Sequence, residues 1–216
     1  MGNWYTHQVS YHCGGSMAEA AVKENRKEVI FDAALKCFNK NGYYKTSMDL
    51  IAESAGMTKR GLYYHFKSKD ELFINLFNYM NDHFYEQIPP DAAHIQDPEE
   101  RLMLFVKIAR TVLAEHADFL KFSQEFMSIG MRKPKIRKVM TSYYKEQVEK
   151  VSRTIEQAVT MGKFMNVDPL KTARAIVLMT MGAFNVYFCL DADFNLADQH
   201  SFDIEQILRC LKKQQE

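Results

Sequence analysis

Thr58, Lys59, Arg60, Gly61, Tyr63, Tyr64 and His65 fall within a single short stretch of the chain, bringing together two cations, three hydroxyls, an imidazole and one position without a side chain. Groups of these types suit recognition better than bond-making. Cations and hydroxyls hold phosphate oxygens, and the same donors can reach base edges in a DNA major groove. Leu62 and Phe66, four residues apart, would give a helix here its buried face and leave the polar set outward. Thr46 and Ser47 upstream and Lys69 downstream extend the supply. Between Lys36 and Lys69 there are seven Lys/Arg against two acids, on a chain whose formal net charge is only +1, so positive charge is concentrated in this region. An ordinary helical corner with a solvated charged face is the competing reading of the same residues.

The elements that must position these groups are legible in the punctuation. Thr46 and Asp49 have the spacing of a capping box, which predicts a helix over 46–54 with Met48, Ile51, Ala52 and Ala55 inward. Gly56 can take the left-handed conformation that ends a helix, and Thr58 can cap a second one over 59–66. Ser68 and Glu71 form another capping box, opening a third helix that runs through Leu72, Phe73, Leu76, Phe77, Met80 and Phe84 to about Gln87, where Pro89 and Pro90 break it. Two short helices about a glycine turn make a helix-turn-helix. Upstream, Val29, Ile30, Ala33, Ala34, Cys37 and Phe38 define one face of a helix over 18–41 that Gly42 stops.

These residues carry a family resemblance. Phe38-Asn-Lys-Asn-Gly42, Tyr44-Lys-Thr-Ser47, Ile51-Ala-Glu-Ser-Ala-Gly56, Thr58-Lys-Arg-Gly-Leu-Tyr-Tyr-His-Phe66 and Lys69-Asp-Glu-Leu72 follow one another in a way that closely resembles the TetR family of bacterial transcriptional regulators. The resemblance covers about the first third of the chain after residue 17; the rest shares only an all-helical character. It departs from the family where glycine usually stands at Arg60 and Ser, Thr or Ala at Gly61. What it implies is a DNA-binding head in which Thr46, Ser47, Tyr63, Tyr64 and Lys69 hold phosphates while Thr58, Lys59, Arg60 and Gly61 face bases, with His65 on the same helix. It also implies a repressor that leaves its operator when a small molecule enters the C-terminal domain, the helix over 68–87 carrying the signal.

Beyond the prolines the signals remain helical. Asp97-Pro98 opens a helix to about Glu115, a second covers 117–129, Pro134 starts a long one ended by Gly162, Asp168-Pro169 opens one to about Leu190, and Ser201 or Asp203 is expected to cap the last, to about Lys213. The expected fold class is therefore all-α: an N-terminal three-helix helix-turn-helix DNA-binding domain over 18–68, a connector helix over 69–87, and a C-terminal helical ligand-binding and dimerisation domain over 88–216, after a leader over 1–17 that is disordered or foreign to the fold. Thirteen methionines and fifteen phenylalanines allow an adaptable apolar cavity. Phe119, Phe122, Phe126, Met127, Met179, Phe184, Tyr187 and Phe188 are its candidate lining, with a small apolar or aromatic effector as the expected occupant and plain core packing as the alternative. The last two helices, with Ile207 and Leu211 on an apolar stripe and small residues Gly182 and Ala183, suit a homodimer pairing two half-sites of double-stranded operator DNA.

Other classes find little support. No GxSxG, HExxH or glycine-rich phosphate loop occurs, so no catalytic residue, metal site or cofactor is expected. His7 and His12 in the leader are read as solvated. The four cysteines lack CxxC spacing and read as core residues of a reducing cytoplasm, and no run of about 18 apolar residues offers a membrane span. The run Arg132 to Lys138 carries five positive charges in seven residues and reads as a solvated helix start. The competing function is an all-helical interaction module whose basic corner docks an acidic partner.

Overall fold

The computed structural model describes residues 17–86, 95–187, 189 and 193–212, with side chains described from Arg26 to His83 and from Ile95 onward. His7, His12, Cys13 and Phe188 lie outside the described residues. The described chain forms nine helices and no strand: α1 (Met17–Lys45), α2 (Met48–Ser54), α3 (Lys59–His65), α4 (Lys69–Glu86), α5 (Pro98–Glu115), α6 (Ala117–Gly130), α7 (Pro134–Thr160), α8 (Pro169–Val186) and α9 (Leu196–Leu211). They divide into two compact units. One comprises the described residues up to His83 together with Lys121–Arg137, the other Phe84–Leu120 together with Lys138 onward. This division differs from the expected boundary near residue 88: most of α4 and α6 and the start of α7 group with the helix-turn-helix, which is called the head unit below.

An aromatic stack is the physical reason. Phe77 and Phe126 lie nearly parallel with centroids 4.0 Å apart, Phe73 stands 5.0 Å from both Phe122 and Phe126, and Phe38 and Tyr43 each sit 4.8 Å from Phe73. Phe38, Phe73, Phe122 and Phe126 are almost completely buried. Face-on and edge-on aromatic pairs of this kind contribute beyond the area they bury. The α1 face is shifted from expectation, since Val29 is exposed and Phe31 is buried, its ring 4.7 Å from that of Tyr79. Gly42 interrupts α1 with φ 73° and ψ 167°, a conformation open to glycine.

The second unit is built around Leu102, Val106, Val148, Val151, Ile155, Phe164, Ile176, Val177, Ile204 and Leu208. Asp97 and Asp168 cap α5 and α8 as the sequence implies. Gly162 (φ 71°) closes α7 in a Schellman motif, the Lys163 N–H reaching the Ala158 carbonyl and the Gly162 N–H that of Val159. The last helix starts earlier than Ser201. Asn195 Oδ1 accepts from the N–H groups of Ala197 and Asp198, and Ser201 donates to the Ala197 carbonyl from within the helix. Cys37 is buried as expected, whereas Cys189 and Cys210 are exposed.

One buried pair makes this unit sensitive to pH. The Thr180 hydroxyl donates to the Ile176 carbonyl at 3.0 Å, so toward His200 it can only accept, from Nε2–H at 2.9 Å. That fixes the neutral ring with its proton on Nε2 and leaves Nδ1 buried without a hydrogen-bond partner among the described residues. Burial holds the His200 imidazole below its ordinary pKa, with Asp203 opposing in part. Since the folded ring takes up a proton less readily than the unfolded one, the stabilisation is complete above the ordinary value of about 6.5 and is lost as pH falls below it. Wild type should therefore lose more thermal stability than His200→Phe between about pH 7.5 and about pH 5.5. Equal losses would show that His200 is not the titrating group.

Candidate nucleic-acid interface

The recognition helix is held by its ends and one face. α2 closes in a Schellman motif around Gly56 (φ 63°), with the Met57 N–H on the Ala52 carbonyl and the Gly56 N–H on that of Glu53. Thr58 Oγ1 then accepts from the Gly61 N–H at 3.1 Å and caps α3. Leu62 (0% exposed) and Phe66 (4%) anchor the helix from below, while Tyr64 is 69% exposed and Thr58, Lys59 and Arg60 are exposed beside it. Tyr63 is more than one-third exposed, and Gly61 and His65 are half-buried. The structure thus brings Thr58, Lys59, Arg60, Tyr63 and Tyr64 onto one short helix with their polar groups outward.

Each group has chemistry left for DNA. Ser47 is the N-cap of α2, its oxygen accepting from the Leu50 N–H at 3.1 Å; like Thr58, it keeps its own O–H to donate to a phosphate. Lys59 pairs with Asp49 at 2.8 Å with both side chains well exposed, and Asp49 raises the Lys59 pKa first through their hydrogen bond and then through its charge. An exposed pair of this kind is weak and can be exchanged for a DNA contact. A Cβ added at Gly61 would lie 3.3 Å from Thr58 Oγ1, so a larger residue there presses on the cap itself.

Two expected phosphate ligands are corrected. Thr46 is buried, and its hydroxyl donates toward the carbonyls of Gly42 (2.8 Å) and Cys37 (3.1 Å); Ser47, not Thr46, caps α2. The Lys69 ammonium is half-buried and donates to the carbonyls of Tyr43 and Thr46, both at 2.6 Å, while lying 4.4 Å over the Tyr43 ring. Burial, and then the charge of Lys133, lower its pKa. Lys69 therefore clamps the loop between α1 and α2.

The junction behind this loop escaped the sequence reading. Tyr43 donates its hydroxyl to Asp70, and Lys133 donates to Asp70 at 2.7 and 3.0 Å and to the Tyr43 hydroxyl oxygen at 2.9 Å. The Tyr43 N–H donates to Glu125 Oε1 at 2.7 Å. These pairs join residues 27 to 90 positions apart, so no local pattern announces them.

The expected effector lining is divided. Phe122, Phe126 and Met127 belong to the head unit, whereas Phe119, Met179, Phe184 and Tyr187 belong to the other. For Phe122 and Phe126 the expectation is corrected, because ring partners enclose both and leave neither any exposure. Phe119 is buried, Met179 packs on the core of its unit, and Phe184 and Tyr187 are half-buried.

In the head unit α2 and α3, joined at Gly56, form a helix-turn-helix whose second helix, α3, exposes cations and hydroxyls, the arrangement of a DNA-binding protein. Residues 30–76 match the family described as bacterial regulatory proteins, tetR family. The HTH-type transcriptional regulator YfiR of Bacillus subtilis is 26% identical over 151 residues, covering 69% of this chain and 73% of that protein. A TetR transcription regulator from Haloarcula marismortui superposes with a TM-score of 0.77 at 19% identity, covering 88% of this chain and all of that one. The transcriptional regulator FadR from Bacillus subtilis, in complex with stearoyl-CoA, superposes with a TM-score of 0.72 at 19% identity over 85% of this chain and 98% of that one. Over residues 30–76 the chain thus carries a DNA-binding domain of the tetR type, and the relatives that match it are transcriptional regulators. Among the described residues, no helix is long and apolar enough to cross a membrane.

Proposed function

We propose that the protein is a cytoplasmic, ligand-responsive repressor that binds a palindromic operator as a homodimer and is released by a small apolar or aromatic effector. The observation that carries the DNA-binding part is α3: Leu62 and Phe66 fix it from below while Lys59, Arg60, Tyr63 and Tyr64 point outward. Bases would be read by Thr58, Lys59, Arg60 and the backbone at Gly61, and phosphates held by Ser47, Tyr63 and Tyr64. An operator selected from a random duplex pool provides the test. Lys59→Ala and Arg60→Ala should each cost roughly 1–3 kcal/mol on that operator and much less on unrelated duplex. A protein with no sequence preference above its nonspecific binding would sink the reading in favour of a basic corner for an acidic partner.

The effector is assigned to the second unit, where Phe119, Met179, Phe184 and Tyr187 supply apolar surface near its core. The stearoyl-CoA held by the Bacillus subtilis FadR supports an occupant with a long apolar part. To release DNA it must favour the non-binding conformer by the free energy it removes from operator affinity, about 1–3 kcal/mol for ordinary coupling. The helices α4, α6 and α7 each contribute residues to both units and are the covalent route for that coupling.

A further inference from the structure

The run Arg132 to Lys138 does not behave as one solvated helix start. Two of its charges are spent on architecture. Lys133 is bound to Asp70 and Tyr43, and the Arg137 guanidinium donates to the carbonyls of Gly130 (3.1 Å) and Met131, closing the end of α6. Ile136 between them is completely buried. The turn joining α6 to α7 is thus pinned at three points, whereas Arg132 and Lys135 are exposed and make no ion pair or hydrogen bond to a side chain among the described residues. Holding two long cations on a fixed turn lowers the ordering cost of any anion contact they make.

The pinning ties this turn to the DNA-facing edge of the head unit. Lys133 reaches the hydroxyl of Tyr43, whose ring lies 5.5 Å from that of Tyr44, itself 60% exposed; Lys45 and Ser47 follow, both exposed. Lys69 and Lys133 hold their ammonium groups over the same Tyr43 ring, at 4.4 and 4.8 Å. The two acids of the junction are occupied, Asp70 by Lys133 and Tyr43, and Glu125 by the Tyr43 N–H. Lys45, Arg132 and Lys135 are thus exposed cations on two segments that the Tyr43–Lys133 contact joins.

We infer that Arg132 and Lys135 hold DNA phosphates beside those reached from α2 and α3, making the α6–α7 turn a second, sequence-independent contact strip. The inference rests on the DNA-binding reading of α3. It supplies affinity and positioning but no base preference, as backbone contacts do.

The test uses the full chain and a ~30-base-pair duplex of arbitrary sequence, with binding followed by fluorescence polarisation from about 50 to about 200 mM salt. Each lost phosphate contact should reduce the slope of log affinity against log salt by about 0.9, so Arg132→Gln/Lys135→Gln should flatten it by roughly two per bound protomer. The charge-keeping pair Arg132→Lys/Lys135→Arg should restore the slope. Lys107→Gln/Lys145→Gln, which removes the same charge outside the head unit, should leave it unchanged. An unchanged slope in the first pair, an equal loss in the third, or a lost sequence preference with the slope intact would each overturn the inference. If Arg60→Ala weakens binding to the selected operator while Arg132→Gln/Lys135→Gln leaves the slope unchanged, the strip alone fails; if wild type does not bind duplex at all, the α3 reading fails with it. Melting curves of each variant establish that the fold is retained.

Discussion

Leu178→Glu combined with Phe202→Glu is expected to give a folded monomer whose operator affinity falls from the range of specific complexes, about 10⁻⁸–10⁻¹¹ M, toward the nonspecific level of about 10⁻⁴–10⁻⁶ M. On α8, Leu170, Arg174, Leu178 and Gly182 recur at every fourth residue and are all exposed, while Ala173, Ile176, Val177 and Thr180 face the core. Leu178 and Phe202 are each 56% exposed, and a Cβ at Gly182 would meet nothing within 4 Å. Burying a leucine or phenylalanine contributes about 1.5–3 kcal/mol, so leaving both in water is costly unless a second copy covers them. Open space at Gly182 is what a close helix approach from that copy would use. Leu211, which the apolar stripe of the sequence offers for the same purpose, is the wrong residue to change: it is buried in the core of its own unit. Sedimentation velocity and operator binding, measured on one preparation, decide the matter. A double variant that stays dimeric, or a monomer that keeps specific affinity, would rule out this face as the dimer interface.

The contrast between Leu208 and Phe202 marks how far the sequence can be read. Helical periodicity identifies an apolar stripe but not what covers it, and α9 carries both a core stripe and an exposed phenylalanine. Local signals fared better. The Gly56 and Gly162 Schellman turns and the Asp97, Thr58 and Asp168 caps stand where composition places them, because each depends on residues within a few positions. Where two local candidates compete, pattern alone cannot choose. Thr46 and Ser47 are both hydroxyl residues before α2, and packing under the α1 turn takes the first while the second caps the helix. Ser201 resembles a cap, yet Asn195 secures two N–H groups six residues earlier. The outward side chains of α3 were legible since they follow from one helix and its buried face. The Tyr43, Asp70, Glu125 and Lys133 junction was not, because each of its partners is supplied by the tertiary fold.

Phe126→Ala is expected to destabilise the head unit by about 3–5 kcal/mol and to weaken binding to every duplex, operator and unrelated sequence alike. Phe126 has no exposure; its ring stacks on Phe77 at 4.0 Å and on Phe73 at 5.0 Å, and Phe73 in turn meets Phe38 and Tyr43. Truncation therefore opens a cavity among Phe73, Phe77 and Phe122 of α4 and α6, and loosens Phe38 and Tyr43 of α1 through Phe73. The loss should spread to Tyr43, whose backbone Glu125 holds and whose carbonyl Lys69 clamps, and from there to the Ser47 cap of α2. As an effector-cavity wall, the same residue would behave otherwise: stability without ligand would change little, and effector affinity alone would fall. Denaturant unfolding of Phe126→Ala beside Met179→Ala separates the two roles, with duplex affinity measured at a temperature where both variants are folded. Met179, half-buried against the core of the other unit, should lose effector affinity and cost less stability, since part of its side chain already faces outward. If Phe126→Ala kept wild-type stability and duplex affinity, the aromatic stack would not be what holds α6 in the head unit, and Phe126 would return to the effector site.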